Sequence, residues 1–197
     1  NPHFLYNTLD SIIWMAEGRK YEEVVLMTAS LARLLRQSIS NEDEVVPLAR
    51  EVEYAKGYLT IQKMRYKDKL EFEIDVEPSI LNIPLIKLVL QPIIENAIYH
   101  GLKYKESKGL LQVKGFMKDG NAVLQVIDNG VGMDEETLSH IYDKHKVNYH
   151  SNGVGVYNVQ KRLKLYYGEN YGITYESEKG VGTTATIIIP GIQEESI

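Results

Sequence analysis

The stretch "VIDNGVGMD", residues 126–134, decides the fold, because an acidic residue and two closely spaced glycines directly follow an apolar run. Asp, Asn and Gly dominate turns, so the simplest interpretation of Asp128 is a turn at the end of a strand. The chemical interpretation is that a carboxylate held at a strand end accepts a hydrogen bond from an amino group of a ligand. Gly130 and Gly132 would then let the backbone approach that ligand and hinge the segment that follows.

Two other glycine-containing stretches lie nearby in the chain. "NGVGVYNVQKRL", residues 152–163, places Gly153 and Gly155 at the start of a predicted helix, where backbone N–H groups bind phosphate well. It is neither a Walker loop, since no Gly-Lys-Ser/Thr follows, nor a Rossmann fingerprint, since no strand immediately precedes it. "EKGVGTT", residues 178–184, places the Thr183 hydroxyl at a strand start, although a plain hairpin explains these residues equally well.

The segment "QPIIENAIYHG", residues 91–101, carries Asn96 and His100 one helical turn apart. A buried amide within a helix is unfavourable unless it has a partner. A phosphate-bound Mg²⁺ would supply that partner for Asn96, because this ion favours oxygen ligands. A surface Asn and a surface His explain the pattern equally well.

The chain opens with "NPHFLYNTLDSI", residues 1–12, which predicts a helix with Pro2 at its first position. His3, Asn7 and Asp10 share one stripe of this helix, beside an apolar face. A single helical histidine is more often structural than chemical, so this pattern alone does not establish a function.

Composition excludes several classes of protein. The 197 residues carry a net charge of −5, which argues against a broad nucleic-acid-binding surface. The absence of cysteine excludes disulfides, thiol catalysis and thiolate metal sites. The most apolar stretch, "IPLIKLVLQPII", is too short and too polar to span a bilayer. Because the chain starts inside a predicted helix, we expect a fragment of a longer protein, with any sensor or membrane segment upstream.

Periodicity predicts two helices at the start of the chain, the first ending at a left-handed Gly18 and the second over 21–39. Two helices bury little apolar surface alone, so we expect the hairpin to pair with a second copy as half of a four-helix bundle. The polar segment "SNEDE", residues 40–44, is the predicted domain boundary. We therefore divide the chain into a hairpin over 1–43, a second domain over 44–192 and a tail over 193–197.

The second domain combines helices with hairpin-connected strands, which predicts an α+β sandwich with helices on one face of a mostly antiparallel sheet. The stretch from Asn129 to Asn152 is too long for a plain connection and is predicted to be a lid. We expect Pro92 to kink or break the helix predicted over 84–102. The other predicted elements are a helix beginning at Pro47, strands over 69–78, 110–118, 122–128, 171–177 and 183–190, and a helix over 154–167.

The order of these motifs, from about Pro47 to Pro190, resembles the Bergerat-type ATP-binding fold shared by gyrase, the heat-shock ninety chaperones, the mismatch-repair ATPases and sensor histidine kinases. "NPHFLYNTLDSI" together with "QPIIENAIYHG" is similar to the LytS/YesM-type family of bacterial sensor histidine kinases. The resemblance covers the whole chain except the acidic C-terminal tail.

This resemblance implies that His3 accepts the γ-phosphoryl group of ATP and passes it to an aspartate on a response-regulator receiver domain. Asn7 would position the water or acceptor. Asp128 would bind the adenine amine with help from Thr183, and Asn96 would hold Mg²⁺. The resemblance also assigns a further set of residues to the nucleotide and lid: His100, Gly130, Gly132, Gly153 and Gly155, with Lys144 and His145 as weaker phosphate candidates.

The same resemblance implies a homodimer, no direct contact with nucleic acid, and a cytoplasmic location, with membrane attachment only through an upstream segment. Asn158 and Arg162 match the family's "N-x-x-x-R-L" pattern, where a structural role and a ligand contact are both open. Many histidine kinases carry an acidic residue after the phosphoacceptor, but this chain has Phe4, so the general base is not assigned.

Two alternatives remain open at this point. The first is an ATPase of the same fold, which would carry a general-base Glu four residues before the motif Asn, where this chain has Pro92. The second is a non-catalytic nucleotide-binding or dimerisation module, against which the intact set of Asn96, Asp128 and glycines argues.

Overall fold

The computed structural model describes residues 2–39, 44–142 and 153–191. Its first two helices, α1 (Pro2–Glu17) and α2 (Tyr21–Ile39), pack against each other as the predicted hairpin. Arg19, not Gly18, adopts the left-handed conformation that ends α1, with φ of 56°. The N–H of Lys20 donates to the Met15 carbonyl at 2.9 Å and satisfies the helix end. The prediction of a left-handed Gly18 was therefore wrong by one residue.

A five-stranded sheet forms the centre of the rest of the chain. The described strands are β1 (Val45–Pro47), β2 (Leu70–Val76), β3 (Pro84–Ile86), β4 (Gly109–Lys118), β5 (Asn121–Asp128), β6 (Gly172–Glu178) and β7 (Gly182–Pro190). The order in the central sheet is β2-β4-β5-β7-β6; β2 pairs in parallel with β4, and the other neighbours are antiparallel. A separate two-stranded sheet pairs β1 with β3.

Helices α3 (Leu48–Tyr66), α4 (Leu90–Asn96) and α6 (Gly153–Tyr167) supply the core that packs on one face of this sheet. In β4, every second residue from Gly109 to Gly115 is buried, which is the alternation of a strand covered on one face. This arrangement confirms the predicted α+β sandwich. Asp119 and Gly120 turn the β4–β5 hairpin with φ of 50° and 77°, as the Asp-Gly pair predicts.

The hairpin of α1 and α2 rests on α3. Phe4 is buried and its ring centroid lies 4.8 Å from that of Tyr58 on α3. At the other end of α1, the Lys67 ammonium lies 4.6 Å from the centroid of the Trp14 ring. Aromatic stacking and a cation–π contact therefore join the first helix to the rest of the molecule.

The predicted helix over 84–102 is divided. Residues Pro84–Ile86 form strand β3, and α4 begins only at Leu90, so Pro92 falls in the first turn, where a missing N–H costs nothing. The predicted kink at Pro92 is therefore absent. The helix becomes irregular after Asn96, where residues Ala97–Leu102 form a π-helix.

Glu51 on α3 determines where α4 begins. Its carboxylate accepts the N–H groups of Leu88 at 2.8 Å, Val89 at 2.9 Å and Leu90 at 3.0 Å. Leu88 has φ of 62°, a left-handed conformation that is unfavourable for a leucine. Arg162 of α6 donates a hydrogen bond to the Lys87 carbonyl at 2.8 Å. Of the two roles left open for Arg162, this bond within the protein supports the structural one. These bonds hold the entry to α4 in a strained but fully satisfied turn.

Only part of the predicted lid is described. Its residues Glu135–Ser139 form a short helix, α5, whose N-cap Asp134 accepts the Thr137 N–H at 2.9 Å. Residues 143–152 and the tail from 192 lie outside the described residues. Across the described ranges, no helix combines the length and apolarity needed to cross a membrane.

Replacing Glu51 by Gln is expected to lower the free energy of unfolding by about 3 kcal/mol, because three backbone N–H groups, two of them buried, lose their charged acceptor. Chemical denaturation measures the change. Glu53, exposed on the same helix, is the matched control, and Glu53→Gln should change stability by less than about 0.5 kcal/mol. Equal effects of the two substitutions would contradict the capping role.

Candidate functional site

A cavity of about 610 Å³ opens between the inner face of the sheet, helix α4 with its π-helical continuation, and the segment around α5. Such a volume suits a small-molecule ligand. Its lining combines apolar side chains with a few polar groups: Ile93, Asn96, Ala97, His100, Gly101, Val126, Asp128, Gly132, Met133, Glu136, Thr137, His140, Ile141, Tyr175, Thr183 and Ala185.

Asp128 is the buried acid of this cavity, with 6% of its surface exposed at the end of β5. Its Oδ1 accepts the Gly130 N–H at 2.8 Å. Burial raises the pKa of the carboxyl to about 6, although the N–H groups of Gly130 and Thr183 and the charge of Lys105 act in the opposite direction. At pH 7 the group is therefore mainly a carboxylate that gains from a further hydrogen-bond donor.

The glycines around Asp128 are required by close packing of the backbone. A Cβ on Gly101 would lie 2.7 Å from Asp128 Oδ1, and one on Gly130 would lie 2.5 Å from the Gly101 carbonyl. Gly132 has φ of 63°, and its Cβ would meet the Glu178 carbonyl oxygen at 1.9 Å. Of the two glycines predicted after Asp128, Gly132 lines the cavity, whereas Gly130 supports the carboxylate from behind.

Thr183 lies directly beside Asp128, as the sequence predicted. The two residues are register partners in the β5–β7 ladder. The Thr183 hydroxyl is 2.8 Å from the hydroxyl of Ser177 on the next strand. Asp128, Thr183 and Ser177 thus form a polar row across three strands.

Asn96 and His100 line the opposite wall. Asn96 Oδ1 is buried and has no hydrogen-bond partner within the described part of the chain, an arrangement that costs about 1–3 kcal/mol until a donor or cation supplies one. The pKa of His100 lies below its ordinary value, because the ring is desolvated and the Lys103 ammonium disfavours its proton. His100 is therefore a neutral hydrogen-bonding group near pH 7.

This wall fits a magnesium ion that arrives with phosphates. In the described ranges, no three acidic or histidine side chains come close enough to hold a metal by themselves. Mg²⁺ commonly keeps several waters and binds through a few oxygen ligands plus substrate phosphates. The orphaned Asn96 oxygen matches that requirement.

The remaining predicted residues are not all gathered at the cavity. Gly155 on α6 packs against Pro92. If Gly155 carried a Cβ atom, that atom would lie 3.3 Å from the Cβ of Pro92. Gly153 begins α6, and Gly155 is not among the described residues that line the cavity. Asn158 is exposed on α6, while Lys144 and His145 lie outside the described residues.

His3 is exposed near the start of α1, and its Nδ1 lies 2.8 Å from Asn7 Nδ2. No residue of α1 lines the cavity. Phe4 turns inward onto α3 while His3 turns outward, so the stripe of His3 and Asn7 is accessible. The structure brings these two residues together but leaves them apart from Asp128 and Asn96.

Sequence reasoning missed Gly101 and Tyr175. Tyr175 shares one face of β6 with Ile173 and Ser177, and the exposed Thr174 and Glu176 alternate with it, so a period of two is the signal that could have placed it on the inner face of the sheet. Gly101 follows directly after His100 and was not distinguished from an ordinary helix-ending glycine. Its role depends on the position of Asp128, which only the folded chain reveals.

Comparisons with known proteins agree on one family. Residues 82–193 match the model of histidine kinase-, DNA gyrase B- and HSP90-like ATPases, and residues 1–70 match the histidine kinase model. Sensor histidine kinase YesM of Bacillus subtilis strain 168 is 35% identical over 190 residues, which are 96% of this chain and 32% of that protein. Sensor protein LytS of Oceanobacillus iheyensis is 33% identical over 175 residues, 86% of this chain and 29% of that protein. The chain spans about a third of the length of these relatives.

Solved structures share the fold at low identity. The histidine kinase domain of the blue-light activated kinase from Erythrobacter litoralis EL346 has a TM-score of 0.55 at 14% identity, with 96% of both chains covered. The catalytic domain of histidine kinase ThkA has a TM-score of 0.56 at 16% identity and covers 76% of this chain and 99% of that one. These likenesses concern the fold alone.

The raised pKa of Asp128 predicts a pH-dependent stability. The native state holds the proton more tightly than the unfolded chain, so the free energy of unfolding falls as pH rises from about 4 to about 6. The difference in pKa corresponds to about 2 to 3 kcal/mol at pH 7. Asp128→Asn should remove this decline, measured by denaturation between pH 4 and 7.

Asp134 is the control, because hydrogen bonds from Thr137 lower its pKa and its contribution has the opposite sign. Asp134→Asn should keep the decline caused by Asp128. An unchanged pH slope in Asp128→Asn would show that this carboxylate is not desolvated.

Proposed function

The chain belongs to the LytS/YesM-type sensor histidine kinases, and we propose that it transfers the γ-phosphoryl group of ATP to His3 and then to an aspartate of a response-regulator receiver domain. One observation carries this proposal: the same cavity holds a buried carboxylate, Asp128, opposite the buried amide oxygen of Asn96, to which none of the described residues donates a hydrogen bond. The first suits a base amine, and the second suits the cation that accompanies phosphates.

Asp128 accepts a hydrogen bond from the adenine amine in this proposal, and Thr183 assists from the adjacent strand. The apolar wall residues Ile93, Val126 and Ala185 provide contacts for the planar base. His100 and Gly132 line the same space, and Gly130 keeps the carboxylate in position. The phosphates then extend toward Asn96 and the start of α6, where Gly153 and Gly155 lie.

Asn96 holds Mg²⁺ through its amide oxygen. When bound, the ion neutralises phosphate charge, the principal electrostatic demand of phosphoryl transfer. Its amide oxygen is already removed from water before ligand binding, so binding adds little desolvation cost there.

His3 is the nucleophile. A neutral imidazole nitrogen forms a bond to the γ-phosphorus, the bond from that phosphorus to the bridging oxygen breaks, and ADP leaves with the electron pair. The Asn7 Nδ2 amide lies 2.8 Å from Nδ1 and orients the ring. Because an amide N–H donates, this contact puts the ring proton on Nε2, which releases it to solvent as the bond to phosphorus forms. Asn7 is also placed to position the water or acceptor in later steps. Glu95 is buried and bonded to Gln91 at 2.9 Å outside the cavity lining, which does not favour it as the base.

Transfer requires a change in the relative position of the hairpin and the cavity, or the entry of His3 from a second subunit. A homodimer fits the exposed apolar surface of the hairpin. Ile13 is 57% exposed and Val25 is 68% exposed, amounts that a second copy would cover. The large apolar side chains exposed on the two helices are Tyr6, Leu9, Ile13, Trp14, Tyr21, Val25, Leu26 and Leu35.

The organisation of the whole protein follows from the same proposal. Residues 1–43 form the phosphoacceptor and dimerisation hairpin, 44–192 the ATP-binding domain, and 193–197 a tail. The natural partner is a receiver domain, without direct contact to nucleic acid. Because ATP is the phosphoryl donor, we place this region in the cytoplasm, attached to the membrane through an upstream segment as in a sensor protein.

Incubation with γ-labelled ATP is expected to give an acid-labile, base-stable label on the protein. His3→Gln should abolish the label while keeping the Kd for ATP, which calorimetry measures, because His3 does not line the cavity. Asp128→Ala should weaken Mg-ATP binding by about tenfold or more, since a buried charge-assisted hydrogen bond is lost.

Other results would support the alternatives. Steady release of free phosphate without a protein label would indicate an ATPase, and failure of the unmodified chain to bind nucleotide would indicate a non-catalytic module. Unchanged Mg-ATP affinity in Asp128→Ala would contradict the proposed site.

Ile13→Asp is expected to weaken self-association by about tenfold or more, because it places a charge in the proposed dimer surface. Sedimentation velocity measures the change. Val181 is 60% exposed between β6 and β7, so Val181→Asp is the matched control and should leave association unchanged. Equal association of both variants would contradict a dimer through the hairpin.

A further inference from the structure

Tyr175 occupies the inner face of β6 at the cavity. In the strand register it is the partner of Ala185 on β7, which is in turn the partner of Val126 on β5. All three residues line the cavity. This apolar row runs directly beside the polar row that contains Asp128 and Thr183.

The Tyr175 hydroxyl is buried and has no hydrogen-bond partner among the described residues. An unpaired buried hydroxyl is unfavourable, and a phenylalanine would fill the same space without that cost. Burial, then Tyr142 and the Asp128 carboxylate, raise the pKa of the Tyr175 hydroxyl, yet none of the described residues places an acceptor within hydrogen-bond distance of it. The hydroxyl is therefore able to donate a hydrogen bond to an acceptor on a ligand bound in the cavity.

The neighbouring Tyr142 is different. Its ring packs edge-on to that of Tyr175 with centroids 6.1 Å apart, but its hydroxyl donates to the Ile173 carbonyl. Tyr142 does not line the cavity. Two adjacent tyrosines therefore differ in one respect: one hydroxyl is satisfied by the protein and the other is not.

We propose that the Tyr175 hydroxyl donates a hydrogen bond to a ring nitrogen of the purine beside its amino group, so that Tyr175 and Asp128 together select adenine. The inference rests on the proposed function, since it names a further specificity residue of the same nucleotide site. β5 and β6 are separated by β7, a span of about 10 Å, which leaves room for a planar base above Ala185.

The chemistry of the two purines explains the selection. In adenine, the amino group at C6 is a donor and the ring nitrogens N1 and N7 flanking it are acceptors. A carboxylate acceptor and a hydroxyl donor on the protein match that pattern. Guanine presents a carbonyl oxygen at C6, which the Asp128 carboxylate repels. A site built for a specific hydrogen-bonding pattern rejects a mismatched ligand strongly, because its buried polar groups are left unpaired.

The test is calorimetric titration of wild type and Tyr175→Phe with Mg²⁺ complexes of ATP, GTP, 1-deaza-ATP and 7-deaza-ATP. Tyr175→Phe should weaken ATP binding by about threefold to tenfold, the effect of one neutral hydrogen bond. If the acceptor is N1, which carries a proton in guanine, the ratio of ATP to GTP affinity should fall by the same factor; N7 accepts in both purines and would leave that ratio unchanged. One of the two deaza analogues should bind wild type less tightly by a similar factor and bind Tyr175→Phe as ATP does.

Tyr142→Phe is the matched control and should retain wild-type discrimination between ATP and the deaza analogues. Without nucleotide, the melting temperature of Tyr175→Phe should equal or exceed that of wild type, since no protein hydrogen bond is lost. The proposal is overturned if Tyr175→Phe binds ATP with unchanged affinity, or if it loses the same factor for ATP and for both deaza analogues.

These failures are distinguishable from failure of the proposed function. If wild type binds no ATP, the nucleotide site itself is wrong, and this inference is overturned with it. If wild type binds ATP, Asp128→Ala abolishes binding and Tyr175 shows no coupling to a ring nitrogen, only the role of Tyr175 is wrong.

Discussion

Burial of the Asp128 carboxylate is the constraint on which the arrangement of the site depends. Only 6% of the surface of Asp128 is exposed, so its negative charge must be compensated within the protein. The N–H groups of Gly130 and Thr183 and the nearby ammonium of Lys105 provide that compensation. Those contacts require Gly101 and Gly130 to approach so closely that neither position can carry a side chain. The compensation remains incomplete, as the raised pKa shows, and a ligand amine would complete it.

The opposite wall depends on a second buried carboxylate. Glu51 binds three N–H groups at the entry to α4, and this fixes where the helix starts and which of its faces meets the cavity. The π-helical turn that follows α4 then carries Ala97 and His100 to the cavity with Asn96, while Glu95 faces α3 and bonds to Gln91. Local π-helical turns often occur at functional sites because they redirect side chains within a helix.

The turn of α1 that carries His3 and the cavity that contains Asp128 differ in their surroundings. The cavity combines apolar side chains with buried polar groups, whereas His3 is an exposed side chain on a helix that also exposes large apolar residues. Phe4 connects the two regions. It stands where many histidine kinases carry an acidic residue, and its ring packs on Tyr58 of α3. The turn that carries His3 and the cavity are therefore connected through α3 without being brought into contact.

The sequence alone determined the α+β class, the Asp119–Gly120 hairpin, the adjacency of Asp128 and Thr183, and the family, because strand alternation, turn chemistry and motif order are local properties of the chain. It placed the end of α1 and the start of α4 incorrectly, since Arg19 is held left-handed by backbone hydrogen bonds and α4 is capped by Glu51, 39 residues before Leu90. The domain boundaries and the roles of the site residues remain predictions. Only the tertiary structure decided that Gly101 must be glycine and that Tyr175 lies at the cavity with an unpaired hydroxyl, because both depend on which strand and helix pack against them.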